Sequence, residues 1–283
     1  MFLLFSLLAI PWLMWGNNHH LRTVARANFL PHGLDFGNNP TGRFSNGRIV
    51  VDIIQQEMGL KNFTPPYLAA TAAGDNLLQG VNYASSGSGI SNFTGFLFGD
   101  RINFDTQISN HGKTAQAIMS RIGIPAAQKL LRKAIYVVVI GSNDIMFKEF
   151  EPMAMSEEDY MDFLISRLKS ALTTLYNLDA RKIMVSNVAL VGCIPFEKDI
   201  HPVEKGSCAR FKVATSACCT FAGSRGGLVP CNPLSKVCPN RSKYVFWDPF
   251  HLTDAACVVA TRHVMDGDLT YMSPMNLRQL VQS

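Results

Sequence analysis

No cysteine occurs before position 193 in this 283-residue chain, and charged residues make up only 17% of it. There is no internal repeat and no low-complexity tract, which excludes solenoids and arrays. No stripe of Lys and Arg interleaves with aromatics; the densest basic cluster is Lys129, Arg132 and Lys133. Nucleic acid is therefore not expected as a partner, and the net charge of +5 suits surface solubility or attraction to an acidic matrix. No C-x-x-C pair occurs, which argues against zinc, and no other metal or cofactor is expected. Residues 1–15 are apolar apart from Ser6, with Pro11 among them. That run is too short for a comfortable membrane span, so no stable membrane anchor is expected. It also lacks the basic start and small-residue cleavage site of a good signal peptide. It reads as a poor signal, a buried strand, or a sequence foreign to the rest.

What is present is a hydrophobic fraction of 47%, enough for one large domain or two small ones with a full core. The cysteines are Cys193, Cys208, Cys218, Cys219, Cys231, Cys238 and Cys257. Five fall within 208–238, a stretch rich in Gly, Pro and Ser, where a loop with little core gains most from disulfides. The odd count leaves at least one thiol unpaired or paired between chains. Cys257, in the apolar segment Ala255–Val259, is the expected buried free thiol. Sequons occur at Asn62, Asn92 and Asn240. With the clustered cysteines they point to a secreted glycoprotein.

Gly47 to Leu60 reads as an amphipathic helix with Ile49, Val50, Ile53, Ile54 and Met58 on one face. Ser156 opens the clearest helix, with Asp159 three residues on and Tyr160, Phe163, Leu164, Leu168, Ala171, Leu172 and Leu175 at helical spacing. Ile135 to Ile140 and Ile183 to Val191 read as buried parallel strands, and Tyr244 to Trp247 as a third. Strand and helix alternate, which predicts a three-layer α/β domain with a mostly parallel sheet over 16–283. Ligand chemistry in such sheets collects beyond the carboxyl ends of strands. Two segments lie there, Gly141-Ser142-Asn143-Asp144 and Asp248-Pro249-Phe250-His251, and both can reach one crevice.

An Asp that ends a strand, followed three residues later by a His, can set a carboxylate beside an imidazole. The carboxylate fixes the tautomer and steadies the imidazolium while the imidazole moves a proton. The plain alternative is a surface turn with a capping Asp and a solvated His. Gly80 to Ile90, GVNYASSGSGI, lets backbone approach a ligand closely. Asn143 can donate to an oxyanion, although an Asn after a strand is more often a turn former.

Together these blocks resemble the plant GDSL esterase/lipase family, a branch of the SGNH hydrolases. The resemblance runs from Gly16 to about Val264. It is carried by GNN at 16–18, NPTGRFSNGR at 39–48, PPYL at 65–68, GVNYASSGSGI at 80–90, IGSND at 140–144, GCIP at 192–195, ACC at 217–219 and CPNRSKYVFWDPFHLT at 238–253. It implies a flavodoxin-like α/β/α sandwich and hydrolysis of acyl esters or lipids through a serine acyl-enzyme, without metal or cofactor. It makes Asp248 and His251 the catalytic pair, and Gly87 N–H and the Asn143 amide the oxyanion donors. Ser86 stands where many members have Gly.

Two departures follow from the same comparison. The family's nucleophile lies in a stretch like F-G-D-S-L-x-D-x-G-N-N. Counted back from Gly16-Asn17-Asn18, Ala9, Ile10 and Pro11 occupy the places of its Gly, Asp and Ser. Ser6 has neither the motif nor the spacing, and Ser85, Ser86, Ser88 and Ser142 belong to the oxyanion side. Between Cys208 and Cys218, members usually carry several dozen more residues, so the fold is expected to be incomplete, with one strand lost and a neighbouring edge exposed. Both losses are block-like, which favours wrong exon boundaries, with 1–15 misjoined, over a decayed gene copy. The expectation is an ester hydrolase family member that is inactive as written. The alternative is a non-catalytic member that binds an ester, lipid or cell-wall ligand. A purely structural disulfide protein would give Asn143, Asp248 and His251 no reason to match together.

Overall fold

A computed structural model describes residues 5–9, 16–152, 154–188, 191–201 and 211–283. The contacts divide the chain into two compact units. One comprises 16–25 and 64–188 with the strand Phe5–Ala9; the other comprises 26–63 and the described residues after 190.

The first unit is built on four parallel strands in the order Gly80–Asn82, Phe5–Ala9, Ile135–Val139, Lys182–Ser186. Phe5 pairs with Gly80 on one side and Ile135 on the other, and Ile135 pairs with Lys182. Of the three readings of the N-terminal run, residues 5–9 thus form a strand with a neighbour on each side. The strand predicted over 135–140 ends at Val139, and Gly141, at φ +117°, turns the chain into the short helix Ser142–Met146. Ile135 to Val138 are fully buried, as a parallel strand covered on both faces requires. Ser156 caps the helix Glu157–Asn177 by accepting from the Asp159 N–H. Its Tyr160, Leu164, Ala171 and Leu175 enter a core with Phe104, Ile118, Leu131, Tyr136 and Val138. The strand predicted over 183–191 is found at Lys182–Ser186, and residues 189 and 190 lie outside the described ones. Among the described residues it pairs on one side only, and Val185 on it is 40% exposed. An open apolar groove of about 470 Å³ lies beside it, lined by Ile165, Leu168, Leu172, Tyr176 and Ile183.

In the second unit the helix expected over 47–60 is shorter, Val50–Glu57. Its start is delayed because the N–H groups of Arg48 and Ile49 are committed to the carboxylates of Asp254 and Asp52. Its end precedes Gly59, whose φ of +74° cannot continue a helix. The helix Asp254–Asp266 follows Thr253, whose hydroxyl caps the Ala256 N–H. Tyr244–Phe246 does form a parallel pair, with Val213–Ala217, in a two-stranded sheet of the second unit. The cysteine-rich stretch closes through Cys218–Cys238 and Cys219–Cys231, and Cys193 is also disulfide-bonded. Cys218, Cys219 and Cys231 bury themselves against Trp247. A small sulfur-rich core of this kind replaces the apolar pattern that the loop sequence lacks. Cys257 is a buried free thiol, and its burial pushes its pKa up. Among the described residues no helix is long and apolar enough to cross a membrane.

Candidate active site

Asp248 and His251 come together as a buried pair, 1% and 6% exposed. The local sequence makes the contact. The Asp248 carboxylate turns back on its own backbone and accepts from the N–H groups of Phe250 and His251, at 2.9 and 2.8 Å. This is the hydrogen bonding that lets an Asp close a turn, with Pro249 preset for it. The turn carries the imidazole round so that Nδ1 lies 2.7 Å from the carboxylate. A carboxylate only accepts, so Nδ1 carries a proton and donates it to Asp248. Burial pushes the Asp248 carboxyl up, but the charge and hydrogen bond of His251, with the Phe250 N–H, outweigh it and hold it below the ordinary value. The solvated-turn alternative does not describe this pair.

Aromatic rings close around it. Phe44 stacks on the imidazole at 4.6 Å, and the edge of Phe250 approaches at 6.1 Å. Phe196 packs against Phe250. His32, fully buried, accepts a hydrogen bond at Nδ1 from Trp247 Nε1 at 3.0 Å. Burial pushes His32 down to about 4, against the pull of the Asp248 carboxylate and the Cys231 carbonyl. An open polar cleft of this unit, about 550 Å³, is lined by Asp35, Arg48, Arg241 and Asp254 among others and includes neither Asp248 nor His251. Its charges already pair, Arg48 with Asp254 and Arg241 with Asp35.

The His32 shift carries a sign. Its folded-state pKa lies below the unfolded value of about 6.5, so the unfolded chain takes up a proton that the folded chain refuses. The stability it contributes is present above pH 6.5 and is lost as pH falls towards 4. Between pH 7 and pH 5 the loss is about 2 kcal/mol. His111, in the other unit, is likewise pushed to about 4 by burial, while burial raises Asp144 there to about 6, which works the opposite way. His32→Gln keeps an acceptor for the Trp247 indole and cannot titrate. Urea unfolding at both pH values is expected to show a smaller acid loss for this variant; an equal loss would mean that His32 does not titrate as its burial requires.

The first unit holds the other two candidates. Gly87 sits at φ +81°, a conformation that favours glycine. Asn143 is buried, and its Nδ2 donates to the Ser88 carbonyl at 2.9 Å, one residue from Gly87. An amide nitrogen has two hydrogens, and this bond uses one of them. Asp144 ties down the next turn, accepting from the N–H groups of Ile90 and Ser91 and from the Thr94 hydroxyl. Asn17 and Asn18 brace the same loop. Asn17 donates to the carbonyls of Asn82 and Ala84, and Asn18 accepts from the Ser85 hydroxyl and the Ser86 N–H. Ser85 and Ser88 are buried with their hydroxyls committed to Asn18 and to the Ile102 carbonyl. Pro11 lies outside the described residues; Ser6 is in the strand Phe5–Ala9. The supports that residue-by-residue reasoning passed over are Asn17, Asn18, His32 and Phe44. Three of the four sit inside motif blocks, GNN and GRFSNGR, and that was the available signal. Among the described residues, no group of His, Cys, Asp and Glu is arranged to hold a metal ion.

The chain matches the GDSL-like lipase/acylhydrolase family over residues 14–264. It is 41% identical to the Arabidopsis thaliana GDSL esterase/lipase At4g16230, over 94% of this chain and 87% of that protein. It is 34% identical to At2g23540 over 94% and 84%, and 35% identical to At3g50400 over 94% and 87%, both GDSL esterase/lipases of the same plant. The alignment with At4g16230 runs over 321 positions, more than the chain's own 283 residues, so several dozen positions of that relative have no counterpart here. The chain belongs to the plant GDSL esterase/lipase family, a family of carboxylic ester hydrolases.

Proposed function

We propose that the machinery of this chain is that of a secreted ester hydrolase acting on acyl esters or lipids, and that the chain as written has lost its nucleophile. The observation that carries the first half is the grip of Asp248 on His251. With Nδ1–H held by a buried carboxylate, Nε2 is the base that takes a proton from an attacking hydroxyl and returns it to the leaving alcohol. The Gly87 N–H and the free hydrogen of the Asn143 amide are assigned to the oxyanion that forms on the carbonyl carbon's oxygen. No metal or cofactor enters that chemistry. The fold assigned to the reading is the flavodoxin-like α/β/α sandwich, incomplete beside Lys182–Ser186, which among the described residues pairs on one side only.

The second half rests on Ala9, Ile10 and Pro11, which stand where the family's Gly, Asp and Ser are expected. The buried serines nearest the oxyanion donors have their hydroxyls engaged in holding the loop. Secretion is supported by the disulfides and by the exposed sequon asparagines Asn62 and Asn240; the Asn92 amide, by contrast, donates to Asp105.

A fluorophosphonate probe, which labels an activated serine, tests the reading. The 283-residue chain is expected to remain unlabelled while a GDSL relative is labelled under the same conditions. Labelling of any serine, lost in His251→Ala, would refute the loss of the nucleophile. An unlabelled chain that nevertheless retains an acyl ester or a cell-wall polymer would favour the binding role.

A further inference from the structure

The run Gly42–Arg48 has no part in the chemistry proposed above, yet its residues are pinned one after another. Arg43 lays its guanidinium on Asp52 through two hydrogen bonds of 2.7 Å. Arg48 holds Asp254 with its side chain and with its backbone N–H. Asn46 donates to Asp35 and accepts from the Asp254 N–H. Gly47 lies so close to Asp254 that a Cβ there would stand 2.7 Å from the carboxylate. Two ion pairs therefore bracket Phe44, itself a buried residue at 8% exposure.

What they bracket is a ring laid against the imidazole. Phe44 and His251 lie 4.6 Å apart with 27° between their planes. His32 meets the same Phe44 ring edge-on at 5.7 Å and 70°. His32 is in turn held by the indole of Trp247, the residue next to Asp248. The contacts run from Trp247 through His32 and Phe44 to His251, which Asp248 grips at Nδ1.

We propose that Phe44 is the positioning residue for His251, its braced ring fixing the plane of the imidazole and hence the direction of Nε2. The proposal rests on the reading of Asp248 and His251 as the proton-moving pair. Asp248 holds one nitrogen, and the torsion that swings the imidazole plane is broad. A flat ring fixed against one face takes that freedom away, and such contacts bring a preference beyond simple burial. The GRFSNGR block thereby gains a function: it anchors a positioning ring at both ends.

The test reads the His251 Nδ1 proton by NMR in the full 283-residue chain labelled at histidine. In the parent this proton is expected far downfield and protected from exchange with solvent, and absent in His251→Gln. Phe44→Leu is expected to speed its exchange about tenfold, while Phe44→Tyr, which keeps the ring, stays within about twofold of the parent. Slow exchange of the backbone amides in Asp254–Asp266 serves as the check that the unit is folded. Phe44→Met poses the same question should the leucine variant not fold. A folded Leu or Met variant with the parent's exchange rate overturns the proposal, as does a Tyr variant as fast as Leu. A parent with no protected downfield proton overturns the Asp248–His251 pair itself, and the proposal with it.

Discussion

Hydrolysis of 4-nitrophenyl butyrate by the 283-residue chain is expected to fall on the order of 10⁶-fold below that of a GDSL relative, the scale of loss when the nucleophile of a serine triad is removed. The argument is one of roles that cannot substitute for one another. A histidine held by a carboxylate is a base, and it needs a hydroxyl to act on. An oxyanion hole stabilises a charge that appears only after attack. What remains without the serine is the residual acceleration of binding and oxyanion donors, far above water but far below the family. His251→Ala in this chain is accordingly expected to change almost nothing. The complementary experiment places Ala9→Gly, Ile10→Asp and Pro11→Ser in one chain. Activity that appears there and is then lost in His251→Ala would show the pair to be competent. Appreciable turnover by the unaltered chain, abolished by His251→Ala, would sink the proposal. Sequencing the native transcript across its 5′ end and across the region coding for Cys208 to Cys218 would then decide whether the missing blocks are encoded at all.

Breaking the Arg43–Asp52 pair is expected to cost about 3–5 kcal/mol, a large fraction of the roughly 5–15 kcal/mol that holds a domain folded. Both side chains are buried, at 2% and 0% exposure. The guanidinium is fully engaged, with Asp52 on Nε and Nη2, the Thr41 hydroxyl on Nη1, and the rings of Phe36 and Phe63 at 4.7 and 5.1 Å. Asp52 also accepts from the Ile49 N–H and so sets the start of the helix Val50–Glu57. Asp52→Ala takes away the anion that the buried guanidinium is bonded to, and the loss reflects that desolvated charge rather than the worth of the pair. The double variant Arg43→Met, Asp52→Leu removes both charges and is expected to recover most of the loss, because well-packed apolar side chains replace a buried pair at little net change. Urea unfolding of the three proteins measures this. A single variant within about 1 kcal/mol of the parent would show the pair to be solvated.

The parts of the molecule legible in the sequence share one property: their partners are near in the chain. The helix Glu157–Asn177 could be read because its apolar stripe and its Ser156 cap are local. The strand Ile135–Val139 could be read because five consecutive apolar residues announce burial on both faces. The turn Asp248–His251 could be read because a carboxylate that bonds the N–H groups two and three residues on needs no help from elsewhere. Helix ends were less legible. Ile49 follows the apolar pattern of the helix, but it and Arg48 are held out of it by carboxylates at positions 52 and 254. Strand membership was not legible either, since an apolar run does not say which edge it joins. Tyr244–Phe246 joins Val213–Ala217.

By itself the sequence determined the family, the element types and the meeting of Asp248 with His251, because motifs and periodicities are properties of neighbours. Only the tertiary structure decided which cysteines join, that Phe5–Ala9 lies between Gly80–Asn82 and Ile135–Val139, and that Phe44, with His32 against it, stands against a histidine some two hundred residues further on. Those contacts are between residues distant in the chain. The covalent order leaves such pairings open, and they are selected when burial and hydrogen bonding are satisfied throughout a unit at once.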